Sequence, residues 1–76
     1  MIMKKQVEPQ DSGARVYYGQ RIANLRKQRG MTQQQLADVV GVSREHIARI
    51  EAGKYSVGLD ILVKVAKALG MELEFV

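Results

Sequence analysis

Residues 31–53, MTQQQLADVVGVSREHIARIEAG, contain two short helical patterns separated by little more than Gly41 and Val42. Thr32 and Gln35 have the spacing of a capping box, in which the hydroxyl and the amide each bond to the other residue's backbone. Ser43 is a second favourable N-cap residue. The stretch therefore predicts one helix beginning at Thr32 and another after Ser43, joined by a sharp turn.

This break is useful if the second helix must project from the protein. Helices of this length are seldom stable alone, so they depend on packing. A sharp turn lets the first helix brace the second at a steep angle while the second stays at the surface. The major groove of B-DNA admits one α-helix, which makes duplex DNA a natural target.

The second helix has a polar face opposite Ile47 and Ile50. At about 100° per residue, the outward positions and their flanks are Arg44, Glu45, His46, Ala48, Arg49 and Ala52. Arginine can bind O6 and N7 of guanine, glutamate can accept from N4 of cytosine, and alanine lets the backbone approach the groove. The alternative is that Glu45 and Arg49 form an ordinary ion pair four residues apart on an exposed helix.

Two further helices are predicted, over about residues 15–29 and 59–69. The first has an apolar stripe of Tyr18, Ile22 and Leu25, although Gly19 costs about 1 kcal/mol of helix propensity and favours a start nearer to it. The inward stripe of the last helix is assigned to Leu59, Leu62, Val63, Ala66 and Leu69.

The two ends of the chain have patterns of their own. Residues 1–13 are polar and aperiodic, which predicts a mobile arm. Residues 71–76, MELEFV, alternate apolar and acidic side chains with the two-residue period of a β-strand. The main helical domain is therefore predicted over residues 14–70.

Composition limits the possible functions. The chain has 76 residues, enough for one small domain, and no cysteine, which excludes disulfides and thiolate metal sites. Residues 1–30 carry seven Lys or Arg and two acidic residues, which suits an anionic partner such as nucleic acid, or a solubilising surface. No apolar run could span a membrane. We therefore expect a cytoplasmic protein.

Nothing in the sequence indicates catalysis. His46 is the only histidine, and a metal site would need companion ligands. The acidic residues show no pairing typical of acid–base chemistry, and no glycine-rich phosphate loop is present. We expect no enzymatic activity, no cofactor and no metal.

Residues 19–70 resemble the helix-turn-helix domain of the Xre family, the lambda-repressor-like or Cro/cI-type regulators. The resemblance rests on RIANLRKQRGMTQQQLA, on Ala37 and Gly41 at the turn, on Ile47 and Ile50, and on the later segments IEAGK and LVKVAKALG. It implies an all-α, lambda-repressor-like bundle of four to five helices that binds operator DNA as a dimer. The alternating tail adds a short C-terminal β-strand.

The resemblance also implies functional residues by position. Base contacts are expected from Ser43, Arg44, Glu45, His46 and Arg49. Phosphate contacts are expected from Thr32, Gln33, Arg21, Arg26, Lys27, Lys54 and Tyr55. Arg26 and Glu51 are expected to form a structural salt bridge between the first and third helices. The chain departs from many members at Val57 and Gly58, where proline and serine are common.

A dimer is expected to use the end of the chain. Ile61, Val65 and Ala68 form a second apolar set on the last helix, and copies of residues 71–76 could pair as an intermolecular sheet. The dimerisation residues are predicted as Ile61, Val65, Met71, Leu73 and Phe75. The alternative is that the tail folds back on its own bundle. A two-fold dimer would place the recognition helices about 34 Å apart on a pseudo-palindromic site.

The sequence thus predicts a DNA-binding repressor or autoregulator of bacterial or phage type, acting as a nucleoid-associated homodimer on double-stranded DNA. The alternative is an antitoxin-like or coactivator-like module that binds a toxin or another protein, with DNA binding secondary. The apolar surplus on the last helix favours that alternative.

Overall fold

In a computed structural model, residues 12–54 and 56–72 are described, and they form a bundle of four helices. The helices are α1 (Ser12–Gln28), α2 (Gln33–Val40), α3 (Arg44–Glu51) and α4 (Leu59–Ala68). The predicted all-α class is confirmed. The bounds of α2, α3 and α4 lie within a residue or two of the prediction, whereas α1 begins earlier and includes residues assigned to the arm.

Helix α1 runs through Gly19 instead of starting near it. A Cβ at this position would lie 2.4 Å from the carbonyl oxygen of Ile50 and 2.7 Å from that of Glu51. The missing side chain therefore allows α1 to cross the end of α3 in backbone contact. This packing outweighs the propensity cost that suggested a later start.

Two caps and a glycine form the turn between α2 and α3. Thr32 Oγ1 accepts from the Gln35 amide at 3.0 Å, and Gln35 Oε1 accepts from the Thr32 amide at 2.8 Å, which confirms the capping box. Gly41 has φ of 89°, and its amide donates to the Ala37 oxygen at 2.8 Å. Because φ is positive there, glycine is the favoured residue. Ser43 Oγ then accepts from the His46 amide at 3.1 Å and starts α3.

All four helices contribute to one hydrophobic core. The buried apolar residues are Ile22, Leu36, Ala37, Val40, Ile47, Ile50, Val65 and Leu69. Leu36, Ala37 and Ile47 are 0% exposed, so the α2–α3 unit is packed at its centre. This packing fixes the orientation of α3 relative to the rest of the domain.

Helix α4 agrees with the prediction at Leu62 and Leu69, which lie against or within the core, but differs from it at other positions. Val65 and Leu69 are buried, and Ile61 packs against the core, whereas Leu59 is 64% exposed. The dimer role predicted for Val65 is therefore wrong, because its side chain belongs to the core. Seven of the ten residues of α4 are apolar, so the sequence alone did not fix which of them face inward, and packing against α2 places Val65 in the core.

Several predicted features lie outside the described residues. These are most of the arm (residues 1–11), Tyr55, and residues 73–76 with Leu73 and Phe75. Met71 and Glu72 are described, exposed and not in a strand. No helix within the described ranges has the length and apolar character needed to cross a membrane.

Candidate nucleic-acid interface

Helix α3 divides into a buried face and an exposed face. Ile47 and Ile50 are 0% and 4% exposed. The opposite side presents the exposed residues Ser43, Arg44, Glu45 and Arg49, with His46 and Ala48 half-buried beside them. The structure therefore brings the predicted base-contacting residues together on one surface.

Among the described residues, none forms an ion pair on the exposed face of α3. Within residues 12–54 and 56–72, the single salt bridge joins Arg26 and Glu51. The alternative explanation for Glu45 and Arg49, an ion pair along the helix, is therefore absent from the structure. Both side chains remain available to groups outside the protein.

Arg26 and Glu51 form the expected link between α1 and α3. Arg26 Nε and one terminal nitrogen donate to the two carboxylate oxygens at 2.6 and 3.1 Å, and the other terminal nitrogen donates to the Met31 oxygen at 2.8 Å. The hydrogen bonds to Glu51 raise the pKa of Arg26, although burial alone would lower it. The guanidinium therefore stays cationic and stabilises the buried carboxylate.

This arrangement corrects one predicted phosphate contact. Arg26 is 8% exposed, and all three of its guanidinium nitrogens donate to protein oxygens. These bonds hold the guanidinium against Glu51 and Met31, and its burial leaves almost no surface for a phosphate to contact. The role of Arg26 as a phosphate contact is therefore wrong, and its structural role remains.

A line of hydrogen bonds connects this ion pair to the exposed face. Gln33 Nε2 donates to Glu51 Oε1 at 3.0 Å, and an Arg44 guanidinium nitrogen donates to Gln33 Oε1 at 3.3 Å. All four residues were identified from the sequence, but not the contacts through Gln33. Gln33 is 18 residues from Glu51 and 11 residues from Arg44, and it lies on a different helix from both, so no helical periodicity predicts the contacts.

The other predicted phosphate contacts are distributed over several surfaces. Thr32 and Gln33 lie at the N-terminus of α2, where Gln33 contacts Arg44. The N-terminus of a helix is a favourable binding site for phosphate. Lys27 and Lys54 are exposed near the ends of α1 and α3. Arg21 is exposed as well, but it lines a groove between α1 and α4. Among the described residues, no three His, Cys, Asp or Glu side chains cluster as metal ligands.

Sequence comparison places this geometry in a known family. The helix-turn-helix family HTH_3 matches residues 22–76. The immunity repressor protein of Bacillus phage phi105 is 46% identical over 55 residues, which cover 72% of this chain and 38% of that protein. An uncharacterized HTH-type transcriptional regulator of Methanothermobacter thermautotrophicus is 47% identical over 51 residues, covering 67% of this chain and 74% of that protein. The chain thus matches well under half of the phage repressor.

Solved structures agree with this assignment. The restriction-modification controller protein C.AhdI of Aeromonas hydrophila superposes with a TM-score of 0.76 at 35% identity, covering 79% of this chain and 91% of that one. The clp gene regulator ClgR of Corynebacterium glutamicum gives 0.74 at 29% identity, covering 76% and 62%. The predicted lambda-repressor-like fold is confirmed. The chain belongs to the helix-turn-helix family of Xre or Cro/cI type, a family of DNA-binding transcriptional regulators.

Proposed function

We propose that this protein is a sequence-specific repressor or autoregulator that reads DNA by placing α3 in the major groove. One observation carries the proposal: α3 buries its isoleucines while Arg44, Glu45 and Arg49 share an exposed face on which no ion pair forms within the described part of the chain. In the groove, the arginines would bind guanine and Glu45 would accept from cytosine. Ser43 and His46 would contact bases at the edge of this face.

Phosphate contacts would supply much of the affinity. Thr32 and Gln33 with the first amides of α2, together with Lys54 and Lys27, are the groups proposed to bind the backbone. Arg21 stays a weaker candidate, because it lines the groove between α1 and α4. Since each neutralised phosphate releases counterions, the affinity should fall steeply as salt rises.

Selection of duplexes from a random pool, near physiological salt, tests the proposal. The wild-type protein should enrich one pseudo-palindromic sequence. Arg44→Ala and Arg49→Ala should each cost about 1–3 kcal/mol in binding that sequence, with altered preference at one base pair. Lys64→Ala on α4 is the matched control, because it also removes an exposed cation. If both arginine variants bind with unchanged affinity and preference, α3 does not read the bases.

A homodimer is proposed on the side of the domain formed by α1 and α4. A groove of about 580 Å³ lies between these helices. Tyr18, Leu59 and Met71 line it and are 60%, 64% and 37% exposed. A second copy would bury this apolar surface, and the two-fold axis would suit a palindromic site. Met71 therefore keeps its predicted role, while Tyr18 and Leu59 take the place of Val65.

Sedimentation analysis tests the dimer. Leu59→Asp should shift the protein to a monomer. Val39→Asp should not, although Val39 on α2 is equally exposed at 64%. If neither variant changes the sedimentation coefficient, the groove is not the dimer contact.

The same groove favours one alternative function, an antitoxin-like or coactivator-like module that binds another protein. An apolar surface of this kind is typical of protein contacts. The DNA selection separates the two functions, because a module of this type would enrich no sequence. A monomer that enriches no duplex would support the alternative.

A further inference from the structure

Four side chains connect the inside of the protein to its exposed recognition face. Arg26 holds both carboxylate oxygens of Glu51, Glu51 accepts from Gln33, and Gln33 accepts from Arg44. The first two side chains are buried, being 10% and 7% exposed, whereas Arg44 is exposed. The contacts therefore run from a buried ion pair to an exposed side chain at the surface.

The carboxylate of Glu51 decides which way the amide of Gln33 points. An ionised carboxylate only accepts hydrogen bonds, so it must face the NH2 group of Gln33. The amide oxygen is then turned away from Glu51 and toward Arg44, which only donates. With the amide reversed, NH2 would face the guanidinium and the contact would be lost.

Glu51 is itself well fixed. Arg26 binds both of its oxygens, and the Met31 oxygen anchors the far side of the Arg26 guanidinium. The orientation of Gln33 is therefore set by the bundle and not by DNA. Holding Arg44 before binding reduces the side-chain entropy that is lost when it contacts a base.

We propose that Glu51 is a positioning residue for base recognition, acting through Gln33 to hold Arg44 in the direction from which it reads the groove. This inference rests on the proposed function, in which Arg44 contacts a base. The competing explanation is that the ion pair only joins α1 to α3. That role would affect stability, but it would not change which base pair is preferred at one position.

The first test replaces the whole ion pair by the double substitution Arg26→Met and Glu51→Met. Exchanging a buried ion pair for apolar residues of similar volume is often neutral or stabilising, so we expect the domain to fold. The position read by Arg44 is first identified as the base pair whose preference disappears in Arg44→Ala. At that position, the double variant should lose about tenfold of the preference for the selected base, within the range for one bidentate contact. The preference at the position read by Arg49 should be unchanged.

The second test is Gln33→Met, which interrupts the contacts and leaves the ion pair intact. It should weaken binding to every duplex, because Gln33 is also a proposed phosphate contact. Its effect on preference should match that of the double variant, at the same base pair. Because preference is a ratio between duplexes, neither the lost phosphate contact nor a reduced folded fraction imitates this result.

The outcomes are distinct. A loss of preference confined to the Arg44 position in both variants supports the inference. Full preference in Gln33→Met overturns it, even if the double variant does not fold, and so does full preference in a folded double variant. If the wild-type protein enriches no sequence, or Arg44→Ala changes no position, the proposed function fails and this inference fails with it.

Discussion

Helices α3 and α4 pack against the bundle in the same way, but their outward surfaces differ in chemistry. Both are short, and each buries one side against the bundle, with Ile47 and Ile50 in α3 and with Val65 in α4. The outward side of α3 carries arginine and glutamate, whereas α4 exposes Leu59 (64% exposed) together with the charged residues Asp60, Lys64 and Lys67. The α3 surface therefore offers hydrogen-bonding groups, whereas the exposed apolar residue of α4, Leu59, lies on the side that lines the groove with α1. This difference is the reason for proposing DNA as the partner of α3 and a protein as the partner of α4.

The largest expected effect contrasts a core position of α3 with the apolar surface of α4. Ile47→Ala should lower the free energy of unfolding by about 2–5 kcal/mol, because it leaves a cavity where the side chain is 0% exposed. Leu59→Ala should change it by less than about 0.5 kcal/mol. Urea unfolding, followed by circular dichroism at a protein concentration that keeps the chain monomeric, measures both values. Equal losses would show that Leu59 belongs to the core.

A smaller effect tests which residues of α4 face the core. Val65→Thr places a hydroxyl at a position 1% exposed and should cost about 1–3 kcal/mol. Val63→Thr makes the same change two residues earlier, at a half-buried position, and should cost less. The same unfolding measurement applies. A larger loss of unfolding free energy for Val63→Thr than for Val65→Thr would indicate that Val63 faces the core, as the sequence pattern predicted.

The smallest effect concerns how α3 is held against α1. Gly19→Ala would gain about 1 kcal/mol from helix propensity alone. The added methyl group would meet the Ile50 and Glu51 carbonyls, however, and such overpacking costs about 1–3 kcal/mol. We expect a net loss of about 1 kcal/mol in thermal or urea unfolding. A stabilised Gly19→Ala protein would mean that α1 and α3 do not approach so closely.

The predictability of these two helices differed for a physical reason. The two isoleucines of α3 define one narrow stripe, and caps at Thr32 and Ser43 mark where α2 and α3 begin, so bounds and orientation followed from the sequence. Helix α4 is apolar on more than one side, so only its contact with α2 selects the buried face.

Contacts between distant residues set the remaining limit. The Arg26–Glu51 pair was expected from family resemblance. Arg26 had also been predicted to contact phosphate, and only its burial in the structure shows that this second role is wrong. The bonds through Gln33 depend on how α2 and α3 meet in space. Local patterns predicted which residues are polar and face outward. Tertiary packing decides which of these side chains are already hydrogen-bonded within the protein.

The most direct test of the division between α3 and α4 is backbone amide NMR during titration with the selected duplex. We expect the largest shifts at residues 32–34 and 43–49, with α4 nearly unchanged once the protein is dimeric. The largest shifts along α4, with α3 unaffected, would contradict this division.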